Sequence, residues 1–210
     1  MSYQEQASEE APAEQAEGEA AETPATAPVP HHFRLEVDGD NIAWLAFDHA
    51  DSGTNTLSEA VLEELDAHLG EAERLQPAGL VIHSAKPGGF IAGADVTEFT
   101  RLAGETEAYL KVQRGQAVMD RLAGLPFPSV ALIHGFCLGG GAELALACRY
   151  RVAREDPETR IGLPEVRLGI HPGFGGTRRL PALVGDLTAM DLMLRGSAIS
   201  ARAAGRIGLV

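Results

Sequence analysis

The sequence predicts a protein of the α/β class, built from strands that alternate with helices. Short, uninterrupted apolar stretches that suit buried strands alternate with longer stretches whose apolar residues have helical spacing. Two of the predicted strands end in glycine-rich segments, residues 86–99 and 134–144. Because sheets of this class bind ligands at the carboxyl ends of their strands, a functional site is expected at these two segments.

The first half of the chain supports this assignment element by element. The stretch HFRLEVDGDNIAWLAFD alternates around an Asp-Gly-Asp turn at 38–40, as a β-hairpin does. NTLSEAVLEELDAHLGEAERL predicts an amphipathic helix with Ser58 as its N-cap, because apolar residues recur at positions 57, 61, 62, 65 and 69. The run AGLVIHSA predicts a buried strand.

The pattern is then repeated. ETEAYLKVQRGQAVMDRLAGL predicts a second long helix, and FPSVALIHGFCLGGGAELALAC predicts a strand that enters a helix through glycine. Within the latter, residues 129–148 approach the length of a membrane span. His134, Glu143 and the glycines favour a buried strand and helix instead.

Length and charge bound the organisation of the chain. Its 210 residues suffice for one main domain, and a formal net charge of -13 offers no basic surface for nucleic acid. Residues 1–30 hold seven Glu, no Lys or Arg and few apolar residues, so a disordered acidic tail is expected ahead of a domain spanning 31–210. Since that tail resembles neither a secretory signal nor a mitochondrial presequence, a cytoplasmic location without integral membrane association is expected.

The two cysteines point to packing rather than chemistry. Cys137 and Cys148 have no metal-binding spacing and form no disulfide framework, so they are expected to be small buried hydrophobic residues. No metal site is predicted.

The two glycine-rich strand exits suggest a site for a developing negative charge. Glycine lets a ligand approach the backbone, and a helix start presents unpaired N–H groups at the positive end of its dipole. Two adjacent exits could therefore aim two N–H groups at one carbonyl oxygen. The alternative is that the glycines only form tight turns. A nucleotide-phosphate site does not fit, because no Gly-Lys-Ser/Thr follows and Leu144 stands where the last glycine of a dinucleotide motif belongs.

Two glutamates near these exits are candidates for proton transfer. Glu143 is expected in the first turn of its helix, where the dipole favours an acid and capping alone would account for it. Its flanking residues are apolar, and such surroundings raise the pKa of a carboxyl into the range useful for general acid–base catalysis. Glu165 follows Pro164, a position more typical of a solvated loop.

Four motifs occur in an order that resembles one known family: FIAGADVTEF, HGFCLGGGAELALAC, GLPEVRLGIHPGFGGTRRLP and GSAISARAAGRIGLV. Over about residues 32–210 they resemble the enoyl-CoA hydratase/isomerase, or crotonase, superfamily. The nearest likeness is to the hydratase domain at the amino end of multifunctional fatty-acid oxidation α-subunits. The resemblance implies the ClpP/crotonase fold of repeated ββα units, which in the family continues into carboxyl-terminal helices that this sequence lacks. An exposed apolar surface is therefore expected near residues 186–210.

The resemblance also implies roles for individual residues. The backbone N–H groups of Ala94 and Gly140 would form an oxyanion hole for a thioester carbonyl. Glu143 and Glu165 would face each other across a bound water. The substrate-binding positions implied in the same way are Gly93, Asp95, Gly139 and Gly173, the last of which would leave room for that water.

The implied activity is hydration of trans-2-enoyl-CoA to 3-hydroxyacyl-CoA in fatty-acid β-oxidation. That reaction needs water activated at C3, a proton delivered to C2 and a stabilised enolate-like oxygen, which two glutamates and two N–H donors supply. Three alternatives stay open: a Δ3,Δ2-enoyl-CoA isomerase, another crotonase-fold acyl-CoA enzyme, or a catalytically silent CoA-thioester-binding module.

The resemblance implies no cofactor for this segment, since CoA is part of the substrate and NAD would belong only to a downstream dehydrogenase region. The implied partners are a second copy of the chain or a thiolase subunit of a β-oxidation complex. The sequence departs from many relatives at Thr97, where lysine is common. His171 and Phe174 are bulkier than the residues common in that turn.

Overall fold

A computed structural model describes residues 31–50, 52–99 and 101–210 of the chain. The predicted acidic tail, residues 1–30, lies outside the described residues. The strands of the described part are β1 Phe33–Val37, β2 Ile42–Phe47, β3 Gly79–Ser84, β4 Gly89–Ile91, β5 Ser129–Ile133, β6 Phe136–Leu138, β7 Tyr150–Ala153, β8 Arg160–Gly162 and β9 Ala198–Ser200. The helices are α1 Glu59–Leu75, α2 Val96–Phe99, α3 Glu105–Ala123, α4 Gly140–Ala147, α5 Gly176–Val184, α6 Asp186–Arg195 and α7 Ala201–Arg206, with a 3-10 helix at Glu165–Leu168.

The larger sheet has the strand order β1-β2-β3-β5-β7. Its first two strands form the predicted antiparallel hairpin, whose turn is held by Asp38: Oδ1 accepts from the Ile42 N–H at 3.0 Å, and Oδ2 accepts from Trp44 Nε1 at 2.7 Å. The remaining neighbours pair in parallel, as the alternation of strands and helices predicts. The strand β7 at the edge of this sheet was not predicted from the sequence.

The smaller sheet, β4-β6-β8-β9, corrects one prediction. The stretch predicted as a single strand entering a helix contains two strands, β5 and β6, that belong to different sheets. Gly135 separates them: its φ of 54° lies in the left-handed region, and a Cβ there would collide with the Gly88 carbonyl oxygen. Because β6 pairs in parallel with β4, the two glycine-rich segments leave the same sheet side by side.

The two long helices match their sequence patterns. Ser58 caps α1, its Oγ accepting from the Val61 N–H at 3.2 Å, and the periodic apolar residues of α1 are buried. α3 packs against α1. Cys137 and Cys148 are free thiols buried in the core, as predicted.

The outer face of α6 carries the apolar surface expected near residues 186–210. Leu187, Met190 and Leu194 are 85%, 51% and 68% exposed and share one helical face. Their positions follow the i, i+3, i+7 spacing that elsewhere in the chain marks a buried stripe.

Asn55 links the elements that lead to the glycine-rich exits. Its fully buried Nδ2 donates to the carbonyl oxygens of Phe47 and Phe90, at 3.0 and 3.1 Å, and to Ser84 Oγ at 2.9 Å. Its Oδ1 accepts from the His49 N–H at 2.9 Å. One amide therefore satisfies buried polar groups from β2, β3 and β4, together with a part-buried N–H from the loop after β2.

Replacing Asn55 by Ala should lower the free energy of unfolding by about 3 kcal/mol, because several buried polar groups lose their partner at once. Urea unfolding would measure the loss. Gln113→Ala is the matched control: the exposed Gln113 amide donates to Tyr109 on its own helix and to no other group in the described ranges, so its removal should cost less than about 0.5 kcal/mol. Equal losses in the two variants would contradict the role assigned to Asn55.

Candidate active site

The start of α4 lies directly against the exit of β4, and glycine makes this contact possible. A Cβ on Gly141 would lie 2.6 Å from the Ile91 carbonyl oxygen, closer than real Cβ atoms approach. A Cβ on Gly140 would lie 3.3 Å from the Ala94 backbone nitrogen. Gly139 has φ 52°, the left-handed conformation that turns β6 into the helix. Side chains here would push α4 away, so the glycines bring the two strand exits into contact.

Two backbone N–H groups meet at this contact. The Leu57 N–H donates to the Gly93 carbonyl at 2.9 Å, and the Asp95 N–H donates to the Leu57 carbonyl at 3.0 Å. This bridge does not use the Ala94 N–H, and no protein acceptor for that group is found in the described ranges of the chain. Gly140 is the first residue of α4, so its N–H has no acceptor within the helix. The predicted donors are thus neighbours.

Glu143 lies in the first turn of α4, as predicted, and is 2% exposed. Its Oε1 accepts from the Phe174 N–H at 2.8 Å and from the Gly176 N–H at 2.7 Å, at the start of α5. Burial raises the pKa of Glu143 to about 7, with the Gly176 N–H opposing the shift and the neighbouring Glu165 carboxyl adding to it. The carboxyl therefore titrates in the range where it can either donate or accept a proton.

Glu165 opens the 3-10 helix and is 8% exposed, so the prediction of a solvated loop is wrong. We call the contact that Gly139, Gly140 and Gly141 make with the exit of β4 the glycine corner. A Cβ on Gly139 would lie 3.2 Å from Glu165 Oε1, which places this carboxyl at that corner. Its Oε2 is buried, and among the residues described here no group donates to it. Burial raises the pKa of Glu165, opposed by its own backbone N–H and by His171. His171 itself is exposed, with Nδ1 3.0 Å from the Pro172 carbonyl oxygen.

A cavity of about 440 Å³ opens beside the glycine corner, between α1 and α3. Its volume falls in the range typical of small-molecule sites, and most of its lining surface is apolar. Ala94 and Asp95 are among the residues that line it. The apolar side chains that line it include Leu57, Leu62, Val112, Val118 and Phe174.

Two of the predicted substrate-binding residues are placed differently from the glutamates. The Asp95 carboxylate accepts from the Thr97 N–H and hydroxyl, at 2.9 and 2.8 Å, which lowers the pKa of Asp95 and fixes the start of α2. A Cβ on Gly173 would meet only Val112 of α3, at 3.9 Å. The glycine that lies directly against Glu143 is Gly176, which the sequence did not single out.

Sequence reasoning also missed the residues that hold Glu143. The turn at 173–176 is dense in glycine, but nothing in its composition says that its N–H groups donate to a carboxyl 31 and 33 residues earlier in the chain. Arg179, which contacts the same turn, carried no signal either. Only the packing of α5 against α4 reveals them.

The described residues contain no group of three His, Cys, Asp or Glu side chains arranged to hold a metal ion. None of the helices seen in residues 31–50, 52–99 and 101–210 is both long enough and apolar enough to cross a membrane.

The chain is similar to curated proteins along most of its length. The α-subunit of the fatty acid oxidation complex from Vibrio cholerae is 51% identical over 180 residues, and the Vibrio campbellii α-subunit is 47% identical over 181 residues. Each alignment covers 85% of this chain but 25% of the relative, so the chain spans about a quarter of the length of these curated relatives.

The fold is similar to solved structures. The enoyl-CoA hydratase from Bacillus anthracis superposes with a TM-score of 0.79 at 34% identity, covering 86% of this chain and 69% of that one. The enoyl-CoA hydratase from Thermoplasma volcanium gives a TM-score of 0.79 at 30% identity, covering 85% and 70%. Residues 39–210 match the family described as enoyl-CoA hydratase/isomerase. Sequence and structure thus confirm the predicted resemblance: the chain belongs to the enoyl-CoA hydratase/isomerase family and has the crotonase fold.

Proposed function

We propose that the chain hydrates trans-2-enoyl-CoA thioesters to 3-hydroxyacyl-CoA in fatty-acid β-oxidation. The observation that carries the proposal is that two buried carboxyls, Glu143 and Glu165, lie at the same glycine corner as the Ala94 and Gly140 N–H groups. Ala94 also lines the neighbouring cavity between α1 and α3. The family and the fatty acid oxidation complex relatives support the same class of substrate.

The proposed reaction uses each of these groups once. The thioester oxygen accepts from the Ala94 and Gly140 N–H groups. One carboxylate takes a proton from water as the water oxygen bonds to C3. The electron pair of the C2=C3 bond moves toward the thioester carbonyl, whose oxygen gains the negative charge that the two donors stabilise. The other, protonated carboxyl delivers its proton to C2. The two glutamates have then exchanged protonation states, and proton exchange with solvent restores them.

The proton chemistry of the pair supports these roles. With a pKa of about 7, Glu143 changes charge readily near neutrality. Glu165 Oε2 lacks a donor among the described residues and so has a lone pair available for the reacting water. Burial keeps both carboxyls out of bulk water, which strengthens every charge interaction during the reaction.

The relatives also support finer proposals. We place the chain in the cytoplasm as the hydratase part of a multifunctional protein, assembled with a thiolase subunit or a second copy of itself, with NAD used only in a neighbouring dehydrogenase region. Fractionation of cells and purification of the tagged protein would test this. Recovery of a lone polypeptide, or of the protein with the membrane fraction, would contradict it.

Replacing either Glu143 or Glu165 by Gln should slow hydration by at least about 100-fold, because a group that transfers a proton is lost while its shape is kept. The measurement is the loss of ultraviolet absorbance of a 2-enoyl-CoA thioester. Glu158→Gln, an exposed glutamate outside the site, should leave the rate unchanged. A double mutant with full activity, or a wild-type chain that only isomerises a 3-enoyl thioester, would sink the proposal.

Replacing Gly140 by Ala should lower kcat by about 100-fold or more, because the new methyl would lie 3.3 Å from the Ala94 nitrogen and crowd the oxygen bound there. Gly205→Ala is the matched control. It lies within helix α7 with nothing within 4 Å of the added Cβ, so activity should be retained. Comparable kinetics for the two alanine variants would argue against an oxyanion hole at Gly140.

Stability should fall as pH rises through the titration of Glu143. Its pKa is about 7 when folded and 4.5 in the absence of burial, so between these values the folded protein binds more protons than the unfolded chain. The free energy of unfolding should therefore drop by about 3 kcal/mol from about pH 5 to about pH 8. Urea unfolding across that range would measure it. In Glu143→Gln the drop in the free energy of unfolding should be smaller. A pH dependence identical to that of the wild type would count against a raised pKa for Glu143.

A further inference from the structure

Arg179 holds the backbone of the turn that contacts Glu143. Its side chain is 11% exposed, and Nη1 donates to the Phe174 carbonyl oxygen at 2.9 Å. The guanidinium occupies the space beside Gly175, where any Cβ would collide with Nη1. Gly175 also has φ 104°, a conformation that side chains rarely adopt. The turn is therefore shaped to receive this arginine.

The turn is fixed on the same side by α3. Asp120 Oδ1 accepts from Arg179 Nη2 at 2.5 Å, which orients the guanidinium. Gln116 Nε2 donates to the Gly173 carbonyl oxygen at 2.8 Å. Two consecutive carbonyl groups of the turn, those of Gly173 and Phe174, thus accept from side chains outside it.

The other side of the turn holds the carboxyl. Phe174 accepts from Arg179 through its carbonyl oxygen and donates its own N–H to Glu143 Oε1. The Gly176 N–H donates to the same carboxyl oxygen. Any rotation of the turn that broke the Arg179 contact would also move these two donors. The arginine therefore acts on the carboxyl through one residue of backbone.

Arg179 acts on Glu143 through its charge as well. The guanidinium favours the ionised carboxylate and lowers the pKa of Glu143, whereas the Glu165 carboxyl on the 3-10 helix raises it. The other charges beside the arginine are Asp120 on α3 and Arg178, its neighbour on α5. Arg149 and Arg151 line the same surface pocket as Arg179, and His171 acts on the Glu165 carboxyl.

We propose that Arg179 is a positioning residue for Glu143: it locks the turn at 173–176 so that the Phe174 and Gly176 N–H groups hold the carboxyl in its reactive orientation. The inference deepens the proposed function and rests on it for its kinetic test. It assigns to Arg179 no contact with substrate.

Arg178 provides a matched control. It pairs with the same Asp120 Oδ1, at 2.7 Å, but its side chain is 72% exposed and, among the described residues, donates to no carbonyl of the turn. The Arg178 contact to the Gly175 carbonyl, at 3.1 Å, is made by the backbone N–H, which Arg178→Gln keeps. The variants Arg178→Gln and Arg179→Gln thus each remove one positive charge, from adjacent residues, and each breaks an ion pair with Asp120. They differ in whether the turn at 173–176 loses its support.

The experiment measures kcat and KM for a 2-enoyl-CoA thioester across pH in the wild type, Arg178→Gln, Arg179→Gln and Arg179→Lys. Arg179→Gln should lower kcat by about 10- to 100-fold with little change in KM, because misplacement of a reacting group costs rate rather than binding. One limb of the pH–rate profile should reflect the titration of Glu143 and be absent in Glu143→Gln. In Arg179→Gln that limb should move to higher pH. Arg179→Lys should return that limb toward the wild-type position while kcat recovers only in part, since lysine restores the charge but not the paired contacts.

A second readout does not depend on activity. Carbon-13 NMR of glutamate-labelled protein, with the Glu143 signal identified by its loss in Glu143→Gln, gives the titration of that carboxyl directly. The midpoint of the Glu143 titration should shift to higher pH in Arg179→Gln and stay at its wild-type value in Arg178→Gln. Thermal unfolding of both variants checks that they are folded.

The outcomes separate the two proposals. If the wild-type chain does not hydrate the thioester, the proposed function fails, and the NMR titration still decides whether Arg179 acts on Glu143. If the wild type is active but Arg179→Gln matches Arg178→Gln in kcat, pH profile and titration, the inference is overturned. If Arg179→Gln is unfolded, Arg179→Lys decides: a fully wild-type kcat in that variant, which keeps the charge but not the paired contacts, would equally overturn it.

Discussion

The burial of the Glu143 carboxyl is the constraint on which the arrangement of the site depends. A carboxylate removed from water is stable only if donors replace its hydration. Here the replacement comes from two N–H groups at the start of α5, where the helix dipole also favours negative charge. The need for those donors fixes where the turn at 173–176 must lie, and hence where α5 packs on α4.

A second constraint comes from the close approach of backbones at the glycine corner. Gly141 brings α4 against β4, and Gly140 brings the helix start against Ala94. A Cβ at Gly141 would require displacement of backbone atoms, and one at Gly140 would force its neighbours to shift slightly. Together they place two N–H groups that belong to separate strand exits next to each other. The corner exists because β4 and β6 are neighbours in one small sheet.

Local patterns predicted what local forces determine. The Ser58 cap and the apolar spacing of α1 predicted that helix, because both depend on residues within one or two turns. Gly135 was read as part of a continuous strand, since a single left-handed residue leaves no periodic signal. The local context of Glu165 indicated a solvated loop, because its burial depends on the glycine corner and not on its neighbours in sequence. Only the family resemblance implied a place for it in the site. Arg179 and Asp120 are 59 residues apart, and nothing in either segment indicates that they pair.

The donors around the two carboxyls are divided unequally, and this division has a chemical consequence. Burial raises the pKa of both groups, yet Glu143 Oε1 accepts two N–H groups whereas Glu165 Oε2 accepts none from the described residues. Glu143 is thereby fixed in orientation through one oxygen, and its Oε2 accepts from no group in the described part of the chain. As far as the described residues go, each carboxyl thus keeps an oxygen to which no protein group donates. A single water molecule held between two such oxygens can give a proton to one carboxyl while the other delivers its own, which is what addition of water across a double bond requires.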